Sequence, residues 1–263
     1  MAVRIVRRWR RIPRPVPLTF ADHFSSIAQR YAQYRPHYPR ALADALAALC
    51  SRHDAAWDAG AGNGQLSVQL AKHFAKVYAQ EPSQAQLDQA LPFPNVEYRC
   101  VKAEESGLPD ASVDLAVAAQ AAHWFDWPRY VAEVDRIARP GALVALISYG
   151  ILHVEGLAGA IIARYYHDDV GAYWPKGREH VENGYRDLAW PWPAVEAPAI
   201  DMVVDWTREE LCGYVATWSA TAKRIEAKGP EAYEQLCSRL ATIWPDGERR
   251  TVRWPLAIRL ARR

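Results

Sequence analysis

Between residues 41 and 148 short apolar runs alternate with amphipathic stretches. Ala41–Leu49 puts Leu42, Leu46 and Leu49 on one face of a helix. Ala55–Asp58 is a short apolar run ending in a carboxylate, and Leu66–Phe74 reads as the helix that follows it. Lys76–Gln80 predicts a second strand, Ser83–Ala90 a helix and Val96–Val101 a third strand. Val113–Ala119 is apolar nearly throughout, as a central parallel strand covered on both faces must be. Pro128–Ile137 predicts a helix closed by Arg139-Pro140-Gly141, and Ala142–Ser148 a fifth strand. Strands and helices alternating at this spacing imply βαβ units and an α/β, doubly wound sheet with helices on both faces. Upstream, residues 20–34 read as a helix that Pro36 and Pro39 interrupt.

The rhythm changes after Gly150. Residues 157–188 read as helical and are rich in Tyr and Trp, and a Trp190-Pro191-Trp192-Pro193 knot follows. Ile200–Trp206 predicts a strand, 207–224 and 230–242 two helices, and Thr251–Leu260 a last strand. Trp254-Pro255 interrupts that strand, and proline suits an edge or a bulge. The expected architecture is a seven-stranded, mostly parallel sheet with its final strand antiparallel. The expected divisions are a basic extension over 1–19, a ligand-binding α/β core over 20–150, a helical lid inserted over 151–199, and a part completing the sheet over 200–263.

The 263 residues carry a net charge of only +2, so no global field recruits nucleic acid or an acidic surface. No apolar run approaches the roughly 18 residues of a membrane span. Cys50, Cys100, Cys212 and Cys237 are scattered, which predicts no metal site and fits a reducing, cytoplasmic setting. Residues 1–17 hold six arginines, three prolines and no acid. They read as a dispensable extension rather than a transit peptide or surface anchor. The 11 Trp and 13 Tyr against 5 Phe suit either large-ring packing or an aromatic-walled pocket.

The chemistry concentrates in Asp58-Ala59-Gly60-Ala61-Gly62-Asn63-Gly64-Gln65. Alternate glycines after a strand let a ligand lie against bare backbone at the carboxyl end of a parallel sheet. A dinucleotide fingerprint counted from Gly60 needs its third glycine at 65, where Gln65 stands; it arrives early, at Gly64. The strand ends in Asp58, whose charge repels a pyrophosphate and attracts an ammonium or sulfonium. S-adenosylmethionine is therefore favoured over NAD. Glu81 ends the second strand, where a carboxylate accepts hydrogen bonds from both ribose hydroxyls.

These residues, with Gln80-Glu81-Pro82-Ser83, Ala103-Glu104, Leu108-Pro109, Ser112-Val113-Asp114-Leu115 and Arg139-Pro140-Gly141, closely resemble class I S-adenosylmethionine-dependent methyltransferases. The similarity is greatest to the small-molecule group that includes trans-aconitate methyltransferase. Tyr31-Ala-Gln-Tyr-Arg35-Pro-His-Tyr-Pro39 and Ala119-Gln-Ala-Ala-His123-Trp-Phe-Asp126 look like that subgroup as well. The resemblance covers about residues 22–148, with weaker matches at Thr217-Trp218-Ser219 and Trp254-Pro255-Leu256. It implies that Asp58, Gly60, Ala61, Gly62, Gln65, Glu81 and Pro82 hold the cofactor. Ala103 and Glu104 edge the adenine, Gln120 lies by the methionine end, and Tyr31, with Arg35, closes over the sulfonium. Gln86 stands where many members carry Met against the adenine.

Methyl transfer from a sulfonium needs neither a metal nor a covalent nucleophile. His123, where strand four opens, is the expected base for a hydroxyl or amine acceptor, and an orienting group for a carboxylate. Trp124, Tyr173, Trp174, Arg178, Trp192 and Trp218 are expected to wall the acceptor, with Arg178 gripping an acidic group. The expected reaction is methylation of a small molecule, favouring oxygen of a carboxylate or hydroxyl. The rival readings are an NAD(P)-dependent oxidoreductase, a non-catalytic S-adenosylmethionine-binding protein and an RNA methyltransferase using the arginine arm.

Overall fold

The computed structural model describes residues 36–263. The basic start, the helix expected over 20–34, Tyr31 and Arg35 lie outside the described residues. In chain order the elements are α1 (Arg40–Ala48), β1 (Ala55–Ala59), α2 (Gln65–Leu70), β2 (Lys76–Gln80), α3 (Gln84–Leu87), β3 (Val96–Arg99), β4 (Val113–Ala119), α4 (Trp127–Ile137), β5 (Ala138–Ser148), β6 (His153–Val154), α5 (Leu157–Arg164), α6 (Arg178–Glu182), β7 (Ala194–Val195), β8 (Asp201–Trp206), α7 (Arg208–Ala216), α8 (Ser219–Lys228), α9 (Glu231–Ala241), β9 (Arg250–Pro255) and β10 (Ala257–Arg262).

A seven-stranded sheet runs in the order β3-β2-β1-β4-β5-β10-β7. The first five strands are mutually parallel, and β10 pairs antiparallel with both β5 and β7. Alternation explains why the central strands are apolar throughout: successive side chains enter opposite layers. Ala56, Leu115, Val117, Leu143 and Ala145 pack with Leu42 and Leu46 of α1 and Leu66 and Leu70 of α2. Trp57, Ala116, Ala118, Val144 and Leu146 pack on the other face with Tyr130, Val134 and Ile137 of α4. The starts of β1 and β4 are tied together by Asp114, which accepts from the backbone N–H of Asp54 and Ala55 at 2.8 and 3.0 Å and from Arg139 at 2.6 Å. Strand order reverses between β1 and β4. The crevice at their carboxyl ends is the topological switch point, where open α/β sheets bind ligands.

The second half departs from the sequence expectations in four places. Asp201–Trp206 does not join the large sheet; it pairs with β9, which pairs with β6, in a separate three-stranded antiparallel sheet. The single strand expected over Thr251–Leu260 is two strands in two sheets: Pro255 donates no ladder hydrogen bond, β9 ends there, and after Leu256 the chain runs along β5 as β10. The helix expected over 157–188 breaks after Arg164 into a π turn at Tyr165–Asp169, a 3-10 turn at Gly171–Tyr173 and the short α6, because Gly171, Pro175 and Gly177 interrupt it. The stretch 207–224 is split at Thr217-Trp218 into α7 and α8. These pieces enclose an aromatic core that includes Tyr165, Trp206, Trp218, Trp244 and Trp254. No helix among the described residues is long and apolar enough to cross a membrane.

Candidate functional site

The loop from β1 to α2 turns back on itself because the backbone N–H groups of Gly60 and Ala61 both donate to the Gln80 carbonyl, at 2.8 and 3.0 Å. Gly60 has φ +70°, and a Cβ there would lie 2.5 Å from the Ala121 Cβ. Gly64 has φ +83°, and its Cβ would meet the Tyr98 hydroxyl at 2.1 Å. The first glycine thus lets the loop close against the segment after β4, and the early third one makes room for a β3 side chain.

Asp58 is 1% exposed. Its Oδ2 accepts from the Ser67 hydroxyl at 2.6 Å, and its Oδ1 is buried with no hydrogen-bond partner among the described residues. Burial pushes the carboxyl up to about 6; the Ser67 bond opposes the shift and the Glu81 charge adds to it. Leaving such an oxygen unpaired costs about 1–3 kcal/mol or more, so the position suits a cationic ligand group. Gln120 presents a second orphan: its Nε2 donates to the Tyr149 carbonyl at 2.8 Å, while its Oε1 is buried without a partner. Its φ of +56° is unusual for a residue with a side chain. Glu81 is aimed by the loop it faces: Oε2 accepts from Gly62 N at 3.1 Å and Oε1 from Ser83 N at 3.0 Å. Each oxygen keeps a lone pair for a diol.

These groups line a cavity of about 580 Å³ to which Asp58, Gly60, Ala61, Gly62, Gln65, Glu81, Pro82, Gln86, Gln120 and Trp124 all contribute. Ala103 and Glu104 are not in its lining. Ala103 is buried among the α4-side core residues, and Glu104 accepts from the backbone N–H of Asp126 at 2.7 Å, fixing the start of α4. Tyr38, Phe125 and Tyr149 also line it and were not among the site residues expected from sequence. Tyr149 had a signal: it follows the carboxyl end of β5, beside the switch point.

A second cavity of about 540 Å³ adjoins the first, and Gln86, Gln120, Trp124 and Tyr149 belong to both. Its far wall holds His123, Trp174, Arg178 and Trp218, all expected from sequence, with Tyr166 and Tyr214, which were missed. The Arg178 guanidinium lies 4.4 Å from the centre of the Trp174 ring and donates through Nε to the Tyr166 hydroxyl at 2.8 Å. The Trp174 indole N–H is buried and has no partner among the described residues. Trp124 is 65% exposed, a rim residue at the mouth of both cavities. Tyr173 is outside the lining and packs against the aromatic core of the second half. Trp192 is also outside both linings, in the α4-side core, where its indole donates to Asp135 at 3.2 Å, because the Trp190–Pro193 turn leads into β7 at the sheet edge.

His123 Nδ1 sits 3.0 Å from the Tyr185 hydroxyl. Burial pulls the imidazole down to about 4; the Arg178 and His180 charges add, and Glu179 opposes. The ring is neutral at pH 7 and a weak base.

This sheet order, with a glycine loop between an orphaned aspartate and a strand-ending glutamate at its switch point, is that of a class I S-adenosylmethionine-dependent methyltransferase. A family model described as a methyltransferase domain matches residues 57–146, from β1 into β5. A protein of Dictyostelium discoideum named as a methyltransferase is 34% identical over 259 residues, which cover 95% of this chain and 98% of that one. A solved structure from Anaeromyxobacter dehalogenans, described as a type II methyltransferase, is 42% identical with a TM-score of 0.82, over 87% of this chain and 97% of that one. An uncharacterized methyltransferase of Mycobacterium tuberculosis is 36% identical over 125 residues, 47% of this chain and 51% of its own. The chain belongs to this methyltransferase family.

Proposed function

We propose that the first cavity holds S-adenosylmethionine, that the second holds a small-molecule acceptor, and that the methyl group passes between them to an oxygen, a carboxylate in preference to a hydroxyl. The observation carrying this reading is the shared wall: the space beside Gln120 and Trp124 opens on one side to the loop of Asp58 and Glu81 and on the other to Arg178.

The orphaned Asp58 Oδ1 receives the ammonium of the methionine part, Glu81 the ribose hydroxyls, and the backbone of Gly60 and Gly62 lies against the ligand. Pro82 and Gln86 flank the base, and Gln120 Oε1 faces the methionine end. S-adenosylmethionine supplies a methyl on a positively charged sulfur, already activated for in-line displacement. The protein's own share is positioning, which is worth roughly 7–11 kcal/mol when reacting atoms are well oriented. Arg178 and the Trp174 N–H supply donors to an anionic acceptor. A carboxylate is ionised at neutral pH and loses no proton on methylation. An imidazole pulled down to about 4 fits that chemistry as an orienting group better than it fits proton removal from a hydroxyl.

Isothermal calorimetry with S-adenosylmethionine and S-adenosylhomocysteine tests the first half; absence of heat with both overturns it. Turnover on a panel of carboxylates, phenols and amines tests the second. Binding without turnover on a broad panel favours a non-catalytic role, and stabilisation by NAD(P) alone in a thermal-shift assay favours an oxidoreductase. An RNA acceptor would instead show activity that falls steeply with salt.

A further inference from the structure

Tyr185 is buried completely and has φ +58°, directly after Gly184 at φ +67°. A bulky side chain in that region is strained and persists only where its surroundings over-determine it. Here they do. Arg259 donates to the Tyr185 carbonyl at 2.6 Å and also to the Leu188 carbonyl. The Tyr185 ring stacks on the His123 ring with centroids 6.1 Å apart and planes 20° from parallel. Its hydroxyl meets His123 Nδ1 at 3.0 Å.

A phenol has one proton to give and lone pairs to accept with. Tyr185 is fully buried and Nδ1 is the hydrogen-bond partner of its hydroxyl among the described residues, so the phenol gives its proton to Nδ1; with the roles reversed the buried O–H would have no acceptor. A neutral imidazole that accepts at Nδ1 carries its own proton on Nε2. Nε2 has no partner among the described residues, and His123 lines the second cavity.

We propose that Tyr185 is a positioning residue that fixes His123 as its Nε2–H tautomer, so that His123 donates a hydrogen bond to the methyl-accepting group and takes no proton from it. This rests on the second cavity being the acceptor site. The His123 Nε2–H and the Arg178 guanidinium then both serve that cavity, whose wall Trp174 shares. Burial keeps the imidazole neutral, so a single tautomer persists across the physiological range.

The test is 15N NMR of histidine-labelled, ligand-free protein at pH 7, with the His123 signals assigned by their loss in His123→Asn. The expected spectrum shows Nε2 protonated and Nδ1 bare in the wild type, and both tautomers in Tyr185→Phe. A proton on Nδ1, or a tautomer mixture, in the wild type overturns the proposal and needs no variant to fold. An unchanged tautomer in a folded Tyr185→Phe overturns the role of Tyr185. Calorimetry with S-adenosylmethionine runs alongside: loss of binding in the wild type removes the proposed function, while the tautomer result stands on the spectrum alone.

Discussion

The two cavities that meet at Trp124 are made in different ways. The first is mostly main chain and short-range: three glycines, Asp58 and Glu81 span 24 residues, and their geometry is fixed by hydrogen bonds between β1, β2 and the loop. The second is mostly side chain and long-range. His123, Tyr149, Arg178, Tyr214 and Trp218 come from separate segments, and only the folding of the second half over the sheet brings them together. The first polar set carries unpaired acceptors, Asp58 Oδ1 and Gln120 Oε1, whereas the second carries an unpaired donor, the Trp174 N–H, beside a guanidinium. On the proposed function, one wall offers acceptors to a cation and the other donors to an anion, with Glu182 3.6 Å from the Arg178 Nε. A methyl donor bearing positive charge and an acceptor bearing negative charge can therefore be held side by side without competing for the same groups.

That division breaks most severely at the loop. Gly60→Val places a β-branched side chain at positive φ and against Ala121, costing about 2–5 kcal/mol in strain and overpacking together. Cofactor binding measured by calorimetry should disappear, and thermal unfolding should show lowered stability. Asp58→Asn keeps the shape and removes the charge. It should weaken S-adenosylmethionine by roughly 10–100-fold, the worth of one charged hydrogen bond, with acceptor KM unchanged.

The same residue gives the comparison a pH dependence. The Asp58 carboxyl in the folded protein, raised to about 6, lies above its ordinary 3.8. Folding therefore favours the protonated form. This contribution is whole below about pH 4 and is lost as pH rises through 6. His123, pulled down to about 4, gives the opposite slope over nearly the same window, so the Asp58 contribution is read as a difference: the ligand-free wild type should lose Tm relative to Asp58→Asn as pH rises from 4 to 6, and S-adenosylmethionine should restore more Tm at pH 7 than at pH 4 in the wild type, a gain that Asp58→Asn flattens.

Arg178→Ala should do the converse of Asp58→Asn, raising acceptor KM about 10-fold or more while cofactor affinity stays constant. If both constants move in either variant, the two walls are not separate. The smallest effect is expected at Trp192, outside both linings: Trp192→Phe loses one hydrogen bond to Asp135, about 1 kcal/mol of stability by denaturant unfolding, and leaves both constants alone.

Legibility along the chain followed the same line. The strands Lys76–Gln80 and Val113–Ala119 were readable to the residue; in the second, burial on both faces leaves a nearly unbroken apolar run. Asp58, Gly62 and Glu81 were readable as cofactor-cavity candidates because a glycine turn at a strand end is local chemistry; Gln120, placed by resemblance, lines the same cavity. Ala103 and Glu104 were placed by resemblance and stand off the cavity, since the nearby start of α4 takes the Glu104 carboxylate. Trp174, Arg178 and Trp218 were separable from Tyr173 and Trp192 only in three dimensions. All five lie in an aromatic-rich stretch with no period to distinguish a wall from a core.

What the sequence determined by itself was the parallel α/β core and the polar loop at its switch point, since strand burial and glycine turns are set by residues within reach of one another. Tertiary structure decided that Asp201–Trp206 serves a second sheet, that β9 and β10 part at Pro255, and that Tyr185 lies under His123. Each of those depends on which distant surface a segment buries against, and an apolar or aromatic side chain carries the same signature whichever surface that is.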